Sequence, residues 1–209
     1  MKRAFDVSVA AITLVLLSPV MAIVALLARV NLGSPVLFRQ TRPGLHGEPF
    51  EIIKFRSMSD SLDADGNEMP EAYRIGRFGH FIRTTSLDEL PELLNVLNGT
   101  MSLVGPRPLL TRYLDRYSPE QARRHDVRPG ITGLAQIGGR NAMTWEDKFD
   151  LDVYYVDHNS IWMDIKILFK TSVKVLQREG ISQEGYTTSP EFIGSAKDIP
   201  VDGQEKSGK

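Results

Sequence analysis

The sequence predicts an α+β protein: an apolar membrane helix leading into a small, mainly helical domain that carries a β-hairpin. Three observations carry this. Val7 to Ala28 holds no charged residue. Leu90, Leu93, Leu94 and Leu97 recur at helical spacing. Two segments rich in β-branched and aromatic residues flank Pro43-Gly44.

The apolar segment is long enough to cross a bilayer at about 1.5 Å per residue. A signal peptide fits poorly, because the run is long and continues into "ARVNLGSPVLF" without a cleavage pattern. Lys2 and Arg3 precede it, and Arg29, Arg39 and Arg42 follow, so neither flank is marked as the cytoplasmic one. Pro19 removes a backbone donor mid-segment, and Ser18 can answer a carbonyl that this frees. Both a kinked spanning helix and a helix that dips in and returns to the same face satisfy these facts.

Val36 to Phe38 and Phe50 to Phe55 read as the strands of the hairpin, and alternation places Lys54 and Arg56 on one face. The loop "SDSLDADGNEMPEAYR" imitates the start of a calcium loop but lacks its glycine and final glutamate, so it reads as a turn. The leucine-rich helix ends at Asn98-Gly99. "RPGITGLAQIGGRN" is a glycine-rich binding loop or a set of plain turns. From Ile161 to Gly180 a helix carries Lys166, Lys170, Lys174 and Arg178 along a basic face. It packs on the core with that face solvated, or lies at a membrane surface with Trp162 at headgroup level. The tail beyond Gly180 is polar.

With 25 basic and 26 acidic residues the chain lacks the charge of a nucleic-acid binder, and with no cysteine it excludes disulfides and thiolate metal sites. No Walker loop or dinucleotide-binding glycine pattern occurs, which disfavours kinases, ATPases and Rossmann enzymes. The chemistry concentrates in "SLDELPELLNVLNG". Ser86 and Glu89 form an S-x-x-E capping box on paper, and Asp88 suits the positive end of a helix dipole. Capping alone therefore explains both acids. Their company points elsewhere: Arg83 lies just upstream, Lys54 stands on the second strand, and Arg107 is stiffened by Pro106 and Pro108. Arginine offers a planar fork to phosphate oxygens, and Arg140 sits in the glycine-rich loop. Two carboxylates among such cations suit phosphoryl chemistry on a metal-bound pyrophosphate, and a carboxylate can itself attack phosphorus.

The ordered set "FRQTRPG", "KFRSM", "SLDELPELLNVLNG", "MSLVGPRPLL", "RHDVRPGITGLAQIGGRN" and "DVYYV", after a broken helix with Ser18-Pro19, resembles the monotopic phosphoglycosyl transferases, a family of bacterial sugar transferases. The likeness covers nearly the whole chain to about Gly180. In its short form the sequence especially resembles the transferase that starts bacillosamine-containing glycans.

The resemblance implies a re-entrant membrane helix over residues 1–33 and a catalytic domain over 34–180, and the polar composition of residues 181–209 predicts a mobile tail. It implies transfer of a phosphosugar from a UDP-sugar to undecaprenyl phosphate at the cytoplasmic face of the bacterial inner membrane, with release of UMP and use of Mg²⁺. Within it Asp88 is the nucleophile of a covalent phosphosugar intermediate, and Glu89 is its partner. The two hold the metal, and Lys54, Arg83, Arg107 and Arg140 bind phosphate or substrate. Two rival classes remain in view: a membrane-anchored module that holds a lipid phosphate without chemistry, and a metal-dependent phosphohydrolase.

Overall fold

The computed structural model describes residues 1–63, 65–67, 69–139, 143–177 and 191–194 of the 209. Helix α1, Lys2–Leu32, runs through Pro19 without losing its helical assignment. The chemistry of that passage is local. Pro19 cannot donate to the carbonyl four residues back, and the Ser18 hydroxyl donates to that same Val15 oxygen at 2.8 Å. At 31 residues the helix is roughly 46 Å long at about 1.5 Å per residue.

One stripe of α1 rests on the rest of the protein. Near its start, Lys2 Nζ bonds Asp164 Oδ2 at 2.5 Å and the Val104 carbonyl at 3.3 Å. Arg3 donates to the carbonyls of Val96 and Leu97, and Asp6 accepts from the Ser102 hydroxyl at 2.8 Å. Ala10 is fully buried just beyond. Contact lapses around Ser18 to Val20, which are exposed. It returns where Val24 packs in a cluster with Phe55 and Ile82, and Ala28 is again fully buried. Elsewhere Val15, Leu16, Ile23, Leu26 and Val30 present apolar side chains outward. An apolar surface of this extent is what a bilayer covers.

The hairpin comprises β1, Leu37–Pro43, and β2, Pro49–Phe55, paired antiparallel from Leu37 with Phe55 to Pro43 with Pro49. The first strand reaches further than its β-branched start suggests, ending at Pro43, where a missing donor is tolerated. Phe50 and Ile52 face the core, whereas Arg39 and Glu51 pair on the opposite, exposed face. Short α2, Glu71–Arg74, and α3, Arg77–Thr84, follow, and α4 spans Glu92–Asn98. Gly99 ends α4 at φ 92°, the left-handed conformation that favours glycine.

A two-stranded parallel ladder completes the frame of the site. β3, Ser102–Val104, pairs with β4, Gly130–Thr132, with α5, Pro119–Ala122, between them. Gly105 and Gly130 cross in contact: a Cβ on Gly130 would stand 2.0 Å from the Gly105 nitrogen. No side chain fits there. Helices α6, Leu134–Gly138, α7, Trp145–His158, and α8, Ile161–Gln177, close the domain. α8 packs on the core through Ile167 and the fully buried Asp164, and it leaves Trp162 and Phe169 exposed on its other side. Of its basic residues, Arg178 lies outside the described residues. Phe192, within the described stretch 191–194, inserts among Tyr113, Tyr117, Trp145 and Phe149.

Candidate active site

The helix that carries the acidic pair starts later than its sequence pattern suggests. Ser86 takes φ 56°, a left-handed conformation uncommon for a residue with a Cβ, and its side chain makes no capping hydrogen bond. Leu87–Glu89 forms a single tight turn, and α4 proper begins only after Pro91. The capping box therefore does not form. The Glu89 carboxylate turns away from the Ser86 amide and accepts from Lys54 Nζ at 3.0 Å and Arg107 Nη2 at 2.7 Å.

Each of those cations is brought in by a separate element. Lys54 sits at the end of β2, where Asn95 of α4 fastens the strand to the helix. The Asn95 side chain accepts from the Ile53 amide at 3.0 Å and donates to the Glu51 carbonyl at 2.7 Å. It thereby serves the strand edge as a neighbouring strand would. Lys54 Nζ also stands 2.9 Å from Glu92 Oε1, so one lysine faces two carboxylates.

Arg107 rides the loop after β3. Its carbonyl accepts from Arg124 Nη2 at 2.7 Å, and Arg124 is gripped by Asp152 through Nε at 3.0 Å and Nη2 at 2.7 Å. Arg124 and Asp152 are both 3% exposed. Prolines on either side and a buried ion pair behind it hold the Arg107 backbone in place.

Asp88 is 9% exposed and, among the described residues, its carboxylate makes no direct hydrogen bond or ion pair. Burial, followed by the Glu89 carboxylate beside it, pushes its pKa up to about 6, against the opposing pull of Lys54, Arg83 and Arg107. Burial also works to raise Glu89, but Arg107 and Lys54 overwhelm it and hold that carboxyl well below the usual range. Glu92 is pushed up to about 7 by burial and by Glu89, with Lys54 opposing. Two neighbouring carboxylates with pKa values driven apart are the arrangement in which acid, base and nucleophile roles separate.

Lys54, Arg107 and Glu89 thus meet directly, and Arg83, in the last turn of α3, acts on Asp88 through its charge. Arg140 lies outside the described residues. Three contributors went unnoticed in the sequence: Glu92, Asn95 and the Arg124–Asp152 pair. For Glu92 a signal existed, since it stands three and four residues beyond the dyad, on the same side of a helical turn.

Among the described residues no group of three or more His, Asp or Glu side chains is assembled to enclose a metal ion alone. A magnesium ion does not require one. It is typically held by one or two carboxylates together with substrate phosphates and water. The donor set here fits that mode: Asp88 offers a carboxylate with no direct partner among the described residues, and Glu89 adjoins it.

The model of the bacterial sugar transferase family matches residues 1–178. A sugar transferase of Bacillus subtilis (strain 168), EpsL, is 53% identical over 195 residues, covering 93% of this chain and 96% of that protein. The UDP-glucose:undecaprenyl-phosphate glucose-1-phosphate transferase of Caulobacter vibrioides is 42% identical over 187 residues, or 84% of this chain and 69% of that one. The undecaprenyl-phosphate galactose phosphotransferase of Salmonella typhimurium is 39% identical over 198 residues, 86% of this chain but 41% of that longer protein. A family match across nearly the whole described domain, with such relatives beside it, makes this chain a transferase and a member of the bacterial sugar transferase family.

Proposed function

We propose that the protein transfers a phosphosugar from a UDP-sugar to undecaprenyl phosphate in two steps through a covalent intermediate on Asp88. The observation that carries this is the contrast within the dyad. Glu89 is pinned by two cations, whereas Asp88 lies almost buried, in reach of three positive charges and bonded to none of them. In the first step an Asp88 carboxylate oxygen attacks the sugar-bearing phosphorus. The bond from that phosphorus to the bridging oxygen breaks, and UMP departs with the electron pair. In the second, an oxygen of the lipid phosphate attacks the same phosphorus and the Asp88 carboxylate is released unchanged. Lys54 and Arg107 steady Glu89 and face the phosphate oxygens, and Arg83 acts on Asp88 through its charge. The family resemblance assigns Arg140, outside the described residues, to the nucleotide sugar. A Mg²⁺ ion held by Asp88 and Glu89 would neutralise charge building on the diphosphate oxygens.

We read α1 as a re-entrant helix within residues 1–33, serving a catalytic domain over 34–180 and followed by a tail over 181–209. The support is that both ends of α1 rest on the same domain, Asp6 and Ala10 at one end and Val24 and Ala28 at the other. A helix crossing the bilayer would carry one end away. On this reading the site lies at headgroup height, and we assign it to the cytoplasmic face of the inner membrane, where a soluble and a lipid substrate would use it in turn. A non-catalytic lipid-phosphate module fits less well, because its account of the dyad needs a Ser86 cap that does not form.

The test is incubation of the full chain with UDP-sugars labelled in the sugar, without lipid acceptor. UDP-glucose and UDP-galactose come first, given the relatives' names. UMP release with label retained on the protein is expected, and undecaprenyl phosphate should then remove the label. Asp88→Asn protein should stay unlabelled. Persistent labelling of that variant would reassign the nucleophile.

A further inference from the structure

The hairpin register places a second cation on the face that carries Lys54. Residues opposite each other across an antiparallel pair share a face, and here Lys54 faces Phe38, Ile52 faces Gln40 and Phe50 faces Arg42. Lys54 is answered by Glu89 and Glu92. Arg42 is not answered in the same way. Its Nη2 donates to Gln40 Oε1 at 2.6 Å, while its Nε is buried without an acceptor. A buried donor in that state costs free energy until something accepts from it.

The surroundings make the missing acceptor an anion. Arg107 and Arg112 lie close enough for their charges to repel that of Arg42, and burial with this repulsion lowers its pKa to about 10. Glu92 attracts it but is engaged with Lys54. Arg112 pairs with Glu191 at 3.1 Å, and Arg107 with Glu89. Arg42 alone of the three has no carboxylate partner among the described residues. The backbones are stiff on both sides, with Pro43 after Arg42 and Pro106 and Pro108 around Arg107. These prolines line one recess together with Arg107, Arg124 and His125.

We propose that Arg42, with Arg107 and Arg112, forms a second oxyanion subsite that takes the nucleoside-bearing phosphate of the donor's diphosphate and keeps hold of the departing nucleoside monophosphate. The assignment rests on the reaction proposed above. Arg107 belongs to both clusters, since it bonds Glu89 of the dyad and its charge also acts on Arg42. Two anion subsites sharing one arginine fit two phosphates joined by a single oxygen. A lipid monophosphate needs only one of them.

The test uses the full chain in detergent, with UDP, UMP and uridine as calorimetric probes. Arg42→Gln should weaken UDP binding about tenfold or more, the scale of a lost charge-assisted hydrogen bond, and leave uridine binding unchanged. Should that variant fail to fold, Arg42→Lys keeps the charge without the fork and should lose several-fold for UDP. In turnover the KM for UDP-sugar should rise with it. UDP affinity unmoved by both variants, in a chain that still labels with UDP-sugar, overturns the subsite alone. A defect confined to the hand-over to undecaprenyl phosphate also overturns it and assigns Arg42 to the lipid. Absence of UDP binding by the wild-type chain overturns the subsite and the reaction together.

Discussion

Two clusters of buried charge adjoin Arg107, one behind its carbonyl and one at its guanidinium, and they are completed differently. Behind the carbonyl, Arg124 and Asp152 meet one to one, and the remaining donors of Arg124 reach the Arg107 carbonyl and the Tyr117 hydroxyl. At the guanidinium, Asp88, Glu89 and Glu92 compete for fewer direct partners. Lys54 is shared by two of them and Asp88 bonds none among the described residues. The ingredients are alike. A matched pair fixes a loop, whereas a mismatched set leaves one carboxylate unbonded, which is what the proposed nucleophile requires. The functional group is recognised by what its neighbourhood leaves unfinished.

Breaking the matched pair should have the largest effect on stability. Arg124→Met leaves the Asp152 carboxylate buried alone, an arrangement that costs about 3–5 kcal/mol. A thermal melt should register it as a marked fall in unfolding temperature. Combining it with Asp152→Leu removes the stranded charge and should recover much of that loss. Activity should not recover, because the Arg107 carbonyl still lacks its donor. If the double variant regains full UMP release, the pair serves packing alone and positions nothing.

A smaller loss is expected at the strand edge beside Lys54. Asn95→Ala removes an acceptor for Ile53 N–H and a donor for the Glu51 carbonyl, at a cost of about 1–3 kcal/mol for the buried groups stranded. UMP release should fall as well, since β2 then loses its fastening to the helix that carries Glu92. A variant as stable and active as the parent would show that side-chain packing, not Asn95, aligns Lys54.

How far these features were legible depends on how local their causes are. The Ser18 answer to Pro19 and the left-handed Gly99 stop follow from residues within four positions, and both are found where the sequence places them. The β3–β4 ladder joins residues far apart in the chain through three-residue strands, one of them led by a glycine needed for close approach. No propensity announces such a pairing. The S-x-x-E pattern pointed to a cap, but the left-handed Ser86 and two distant cations drew Glu89 elsewhere. Lys54 and Arg107 could be picked out because cations near a carboxylate pair invite a phosphate. Glu92 and Asn95 were hidden by their ordinariness, an acid in a first turn and an amide in a helix.

The smallest expected effect is a displaced pH profile, and it tests the unmatched cluster directly. Asp88 must be ionised to attack, so single-turnover UMP release should rise as pH passes about 6. Glu89→Gln removes a like charge that helps hold Asp88 up, and should move this limb to lower pH by on the order of one unit. Lys54→Met removes an opposing cation and should move it higher. A limb that stays in place in both variants would mean that Asp88 is not the titrating group. Stability should respond in the opposite sense. The folded-state pKa of Asp88 lies above its ordinary 3.8, so its favourable contribution is complete below that value and is lost as pH rises through about 6. Glu92, pushed up to about 7, adds to the same decline. Between about pH 4 and pH 7 the protein should therefore gain UMP release while losing stability from these two groups, and Asp88→Asn should remove part of that loss. A carboxylate kept only to cap its helix would show the reverse, since a cap stabilises most when charged.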